Sequence, residues 1–258
     1  MLSSKTGTWC AGDLPPDVAA AVPSEYRQHN IRGLYPTSRG TLGRAVCIGD
    51  ASATRAAFRA SIRRLGVPRL GLYLLHWPLT HAAYALDDER HAAARRSAWG
   101  ALAQLRREGL VDAIGVSNFS PRHVEELLKI EPPSVMQVEM HLLLQRPELR
   151  SFCERHRILL QSYGHHRPEM RQHNLLTHVS SALPLGGHPM PLGLLSMRWA
   201  LQSSVALIPR SRRSAYVEEN ARVFEFALPV EAMRVLGSAD ANASLFGLHE
   251  AFVHDMIR

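Results

Sequence analysis

Short apolar runs alternate with stretches whose apolar residues recur every three or four positions. Residues 70–76 (LGLYLLH) are apolar, lie between Pro68 and Pro78, and read as a buried strand. A helical stretch follows over about 95–107, with Trp99, Leu102 and Leu105 at helical spacing and Gly109 as a stop signal. The same alternation predicts strands at 111–116, 135–140, 158–163 and 205–208. It predicts helices at about 121–129, 147–156, 192–202, 215–220 and 230–236. Repeated strand–helix units with wholly apolar strands imply an α/β fold, a parallel sheet covered by helices. At ~30 residues per unit, the 258 residues suit a (β/α)8 TIM barrel formed as a single domain over 1–258. An open doubly wound sheet is the alternative, but the chain has no G-x-G-x-x-G. Polar or Pro/Gly-rich segments at about 78–90 and 164–191 follow strands. In a barrel they lie over the C-terminal rim, where sites form.

Composition changes this picture little. Hydrophobic residues make up 46% and charged residues 21%, ordinary globular values that argue against disorder or coiled coil. No apolar run reaches membrane-spanning length, and MLSSKTGTWCAGDLPP lacks the features of a signal peptide. Cys10, Cys47 and Cys153 have no metal-like spacing, and the adjacent His165 and His166 lack third-ligand spacing. The expectation is a cytoplasmic monomer without a metal, a membrane partner or a nucleic-acid partner. The net charge of +7 is the one argument for a basic RNA-associated protein, but its arginines are dispersed along the chain. Only Lys5 and Lys129 are lysine.

Four groups of residues carry a resemblance. They are Leu72-Tyr-Leu-Leu-His-Trp-Pro78, Ala113-Ile-Gly-Val-Ser-Asn-Phe-Ser120, Gln137-Val-Glu-Met-His141, and Ile208-Pro-Arg-Ser211 followed by Glu219-Asn220. In this order the chain resembles the aldo-keto reductases, NADPH-dependent carbonyl reductases on a (β/α)8 barrel. The likeness runs from Gly7-Thr8-Trp9 to about Leu236. It implies hydride transfer between NADP(H) and a small aldehyde or ketone, with proton donation to the developing alkoxide.

The resemblance also implies roles for residues. His76 matches the histidine that orients the carbonyl, and Trp77 belongs to the substrate wall. Tyr35 matches the proton donor, and Asn30 stands where the family has an aspartate. Ser117, Asn118 and Gln137 match the residues that hold the nicotinamide carboxamide, since amide side chains supply both donor and acceptor. Tyr163 matches the aromatic that stacks on the nicotinamide. Arg210 and Ser211 match the pair on the adenosine 2′-phosphate, and Glu219 and Asn220 match the pair on adenine. The family's lysine, on its third strand between the tyrosine and the histidine, has no counterpart between Tyr35 and His76. The candidate third strand, 45–48, sits in an abbreviated stretch. Lys5 is expected ahead of the first strand, out of reach of the site. Two functions follow: a reductase with impaired chemistry, or a catalytically dead NADP-binding pseudoenzyme with a sensing or partner-binding role.

Overall fold

The computed structural model describes residues 50–78, 88–211 and 213–245, together with the backbone of Ser3–Thr6. The chain divides into two compact units, Met1–Val135 and Met136–Arg258.

In the first unit β1 (Ser3–Thr6), β2 (Leu70–Leu75) and β3 (Val111–Ser117) pair in parallel, β1 with β2 and β2 with β3. Lys5 falls inside β1, not ahead of the first strand. The segment Ser-Ser-Lys-Thr has no apolar alternation, so only its backbone ladder to β2 reveals it as a strand.

Helix α1 (Ala51–Leu65) begins at Asp50, whose carboxylate accepts from Ala53 N at 2.8 Å. It ends at Gly66 in the left-handed conformation, with Arg63 and Arg64 in the last turn. The apolar pattern does not predict it, because two of its three buried residues, Thr54 and Ser61, are polar. The third, Phe58, meets the Tyr73 ring edge-on at 5.3 Å. Tyr73 therefore faces α1, and burial pushes its hydroxyl pKa up to about 12.

On the opposite face of the sheet, Leu72 and Leu74 pack with Val135 and Ala113. Gly115 makes this possible, because a Cβ there would clash with the Val135 carbonyl and lie 2.6 Å from Leu74 Cδ2.

Helix α2 spans Asp88–Arg107, starting earlier than its apolar period suggests because Ala-rich sequence extends it backwards. Its buried Arg95 forms a two-pronged pair with Glu126, at 2.9 and 2.7 Å, and donates to Pro78 O at 3.3 Å. Helix α3 (Pro121–Leu128) is capped by Ser120 in a reciprocal box with His123. Burial, with Arg95, Arg122 and His91 nearby, drives the His123 pKa down to about 3. The ring is therefore neutral and its Nδ1 accepts from Ser120 N at 3.3 Å.

Strand β4 (Val135–Glu139) leads into the second unit, which continues through α4 (Pro147–Arg155) and β5 (Leu159–Tyr163). The polar, Pro/Gly-rich stretch over 164–191 holds a 3-10 turn, helix α5 (Asn174–Ala182) and a two-stranded hairpin, β6 (Pro184–Leu185) with β7 (His188–Pro189). Gly186 and Gly187, both at positive φ, close the hairpin. Helix α5 escapes sequence reading because Thr, Ser and Val are weak helix formers, and each hairpin strand has two residues. Helix α6 (Leu192–Gln202) buries Leu194, Leu195 and Trp199. Strand β8 (Ala206–Leu207) pairs in parallel with β5, and α7 (Ser214–Ala221) and α8 (Val230–Gly237) follow. Among the described residues no helix is long and apolar enough to cross a membrane.

Candidate active site

In the first unit the candidate residues gather where β2 and β3 end. His76 is buried directly after β2, and its ring lies 5.8 Å from that of Trp77. The buried Trp77 Nε1 has no hydrogen-bond partner among the described residues. Ser117, fully buried, is the last residue of β3. Asn118 follows in the left-handed region, φ 61°, which Asn tolerates better than most side chains. Its Nδ2 donates to His76 O at 3.0 Å. The residue matched to carboxamide binding thus also ties the two strand ends together and fixes the His76 backbone.

In the second unit Gln137 lies on β4 with 2% exposure. Its Nε2 donates to Gln161 Oε1 at 2.9 Å, which orients the amide. The buried Gln137 Oε1 has no hydrogen-bond partner among the described residues. Tyr163 ends β5, and its carbonyl accepts from Met140 N at 3.1 Å, so the ends of β4 and β5 are joined.

A buried polar cluster that sequence reasoning did not identify surrounds these two strand ends. The Glu139 carboxylate accepts from Leu245 N at 2.6 Å and Ser244 Oγ at 2.6 Å, and meets His141 Nε2 at 3.0 Å. Arg167 donates to Leu245 O, so both backbone groups of Leu245 are engaged. Arg146 Nε donates to Glu139 O at 2.7 Å. Only the sequence motif around Gln137 and His141 hinted at this cluster. Its partners at Ser244 and Leu245 are remote in sequence.

The residues matched to the adenosine end are more open. Arg210 is exposed. Ser211 Oγ donates to Arg213 O at 3.0 Å and accepts from Arg213 N at 3.1 Å, a local turn. The Arg213 guanidinium lies 5.6 Å from the ring centre of the half-exposed Tyr216. Asn220 is buried, Glu219 partly so. His166 hydrogen-bonds Asn220 and lies near Glu219. Burial still holds its pKa below the ordinary histidine value against both. Its ring rests on Gly193, where a Cβ would clash with it. His165 bridges Ser162 Oγ and Ser196 Oγ at 2.9 Å each, and burial pushes its pKa down to about 3. Among the described residues no group of three His, Cys, Asp or Glu side chains is placed to hold a metal ion.

Tyr35, Asn30 and the candidate third strand at 45–48 lie outside the described residues. Lys5, expected ahead of the first strand, lies within it, and the stretch from Tyr35 to His76 contains no lysine. Lys5 stands on β1, the hydrogen-bonded neighbour of β2, in register with Leu74.

The aldo/keto reductase family model matches residues 49–165. A glyoxal reductase from Bacillus subtilis (strain 168) is 35% identical over 183 residues, covering 70% of this chain and 60% of that protein. An aldo-keto reductase from Mycobacterium sp. (strain JLS) is 32% identical over 266 residues, covering 93% of this chain and 90% of its relative. The chain thus spans about three fifths of the first protein's length and nearly all of the second's. Among solved structures, an aldo/keto reductase from Brucella melitensis matches with a TM-score of 0.64 and 27% identity, over 74% of this chain and 69% of that one. The fold is that of the (β/α)8 barrel in part, and the chain belongs to the aldo-keto reductase family.

Proposed function

We propose that the chain catalyses hydride transfer between NADPH and the carbonyl carbon of a small aldehyde or ketone. The observation that carries this reading is Gln137. A buried amide oxygen without a partner is costly to leave unmet. The carboxamide N–H of a nicotinamide is the kind of donor that would meet it. The bond to Gln161 leaves Gln137 Oε1 as the acceptor. Ser117 and Asn118 supply polar groups at the end of β3, and Tyr163 supplies a flat ring at the end of β5. Arg210, with Ser211, offers charge to a 2′-phosphate, which favours NADP over NAD.

The bound dihydronicotinamide supplies the hydride. The protein orients the carbonyl and provides a proton. His76, held by the bond from Asn118 to its backbone, is the orienting group. Tyr35 is the proton donor. Its unperturbed pKa is near ~10, and a neighbouring ammonium lowers that value. Lys5 is the candidate for that ammonium, because its strand adjoins the one that ends at His76. Lys5 precedes Tyr35 in the chain, the reverse of the order that the resemblance implies. The test is NADPH oxidation, followed at the nicotinamide absorbance, with a panel of aldehydes. No turnover above the Tyr35→Phe background would reject the reading.

A second reading, an NADP-binding pseudoenzyme, rests on Asn30, which cannot carry an aspartate's charge. It predicts NADPH binding by tryptophan fluorescence with no turnover. Brisk turnover that Asn30→Asp leaves unchanged would count against it.

A further inference from the structure

The second unit holds a cavity at the end of β5 opposite to Tyr163. Its volume is about 570 Å³, and it opens between α4, the start of β5 and the end of α6. Pockets of ~300–1,000 Å³ are the usual size for small-molecule ligands. The buried Ile158, Leu160 and Val205 give it an apolar lining, and Leu159, which also lines it, is 49% exposed. Leu159 and Tyr163 are the first and last residues of β5, ~13 Å apart along a strand. The cavity is therefore separate from the nicotinamide end of the candidate site.

Arg150, on α4, is the cation of this cavity and is half-buried. Its guanidinium lies 5.9 Å from the ring centre of Trp199 on α6 and has no hydrogen-bond or ion-pair partner among the described residues. Glu154, one turn further along α4, lines the same cavity but does not pair with it. Arginine four places before glutamate is the poorer order for such a pair, and contact with an indole face offsets its loss. Stacking on a ring leaves the N–H groups, which lie in the guanidinium plane, open to an acceptor. The other polar groups of the wall are mostly engaged. Gln202 Oε1 accepts from Leu228 N at 2.7 Å and Arg198 Nε at 2.8 Å, and its Nε2 donates to Leu228 O at 3.0 Å. The carbonyls of Trp199, Ala200 and Leu201 accept from the backbone N–H groups of Ser203, Ser204 and Val205.

We propose that this cavity binds an organic monoanion, a carboxylate carried on an apolar body, with Arg150 on the carboxylate and Ile158, Leu160 and Val205 against the body. A planar guanidinium meets a carboxylate through two parallel N–H···O bonds. An inorganic anion would leave the apolar lining in contact with water, whereas an apolar body covers it. Glu154, of like charge and one turn from Arg150, disfavours a second negative charge on the ligand. The site does not depend on the reductase reading.

The test is calorimetric titration of the full chain with 2-naphthoate and with 2-naphthamide, its neutral counterpart. The wild type should bind the carboxylate ~10–100-fold more tightly than the amide, the equivalent of one charge-assisted pair. Arg150→Gln should lose that margin. Ser151→Trp fills the cavity from the exposed side of α4 and keeps Arg150, so it should abolish binding of both probes. If Arg150→Gln fails to fold, Ser151→Trp decides. No binding by the wild type, or equal affinity for the two probes, overturns the proposal. Unchanged 2-naphthoate affinity in either variant also overturns it, because the probe then binds elsewhere, the nicotinamide end included.

Discussion

Lys5 pairs with Leu74 in the parallel ladder of β1 and β2, and Thr6 pairs with Leu75, the residue before His76. Residues paired across a parallel ladder share a face of the sheet. Tyr73 meets Phe58 of α1, so Leu74 belongs to the other face, where it packs with Val135. Position 5 thus lies on the backbone ladder one strand over from the β2 residues that lead to His76. If Lys5 supplies the ammonium that the chemistry needs, Lys5→Met should lower kcat/KM for an aldehyde ~10²–10⁴-fold, the usual worth of one general-acid contribution. NADPH affinity should be unaffected. A steady-state comparison at several pH values checks this, and undiminished turnover would assign the charge to another group.

Gln137 gives a prediction on binding rather than chemistry. Gln137→Leu keeps the size of the side chain but removes both its bond to Gln161 and the buried acceptor. Loss of one or two buried hydrogen bonds to the carboxamide should weaken NADPH binding by about 1–3 kcal/mol. Tryptophan fluorescence titration measures it. Affinity equal to wild type would mean that the carboxamide is held elsewhere.

What the sequence revealed and what it hid follow from different forces. The strands at Leu70–Leu75 and Val111–Ser117 are legible because burial on both faces makes them almost wholly apolar. His76, Ser117 and Gln137 are legible because each stands at a fixed place in such a strand or at its end. Helix α1 is hidden because it turns Thr54 and Ser61 inward, and α5 because its residues favour helix weakly. Strand β1 is polar and is held by backbone pairing, so the pattern of side chains says nothing of it. The Glu139 cluster depends on contacts with Ser244 and Leu245, and pairing at such distance in the chain leaves no local signal.

The Arg95–Glu126 pair should matter greatly to stability. Arg95 is wholly buried, and its guanidinium also holds Pro78 O. Arg95→Met should destabilise the fold by about 3–5 kcal/mol, mostly by leaving the Glu126 charge without a partner. Replacing both residues, as Arg95→Met with Glu126→Leu, should recover most of the loss. Urea unfolding of the two variants tests the claim. Equal midpoints for the single and double variants would mean that packing, not charge, sets the cost.

Acid should weaken the protein through two histidines. His123 and His165 are buried, and each has a folded-state pKa of about 3, below the ordinary value of about 6.5. Their rings are neutral when folded. His123 accepts a bond that caps α3, and His165 links β5 to α6 through Ser162 and Ser196. The unfolded chain takes up protons first, so the contribution is complete above pH ~6.5 and is lost as pH falls toward the folded value. Each histidine should remove up to roughly 1.4 kcal/mol of stability per pH unit across that window. His123→Gln keeps a side chain able to complete the capping box but cannot titrate. It should cost little at pH 7.5 and flatten the decline between pH 6 and pH 4 relative to wild type. Unfolding midpoints measured across that range check it, and parallel pH profiles for the two proteins would show that His123 takes no part.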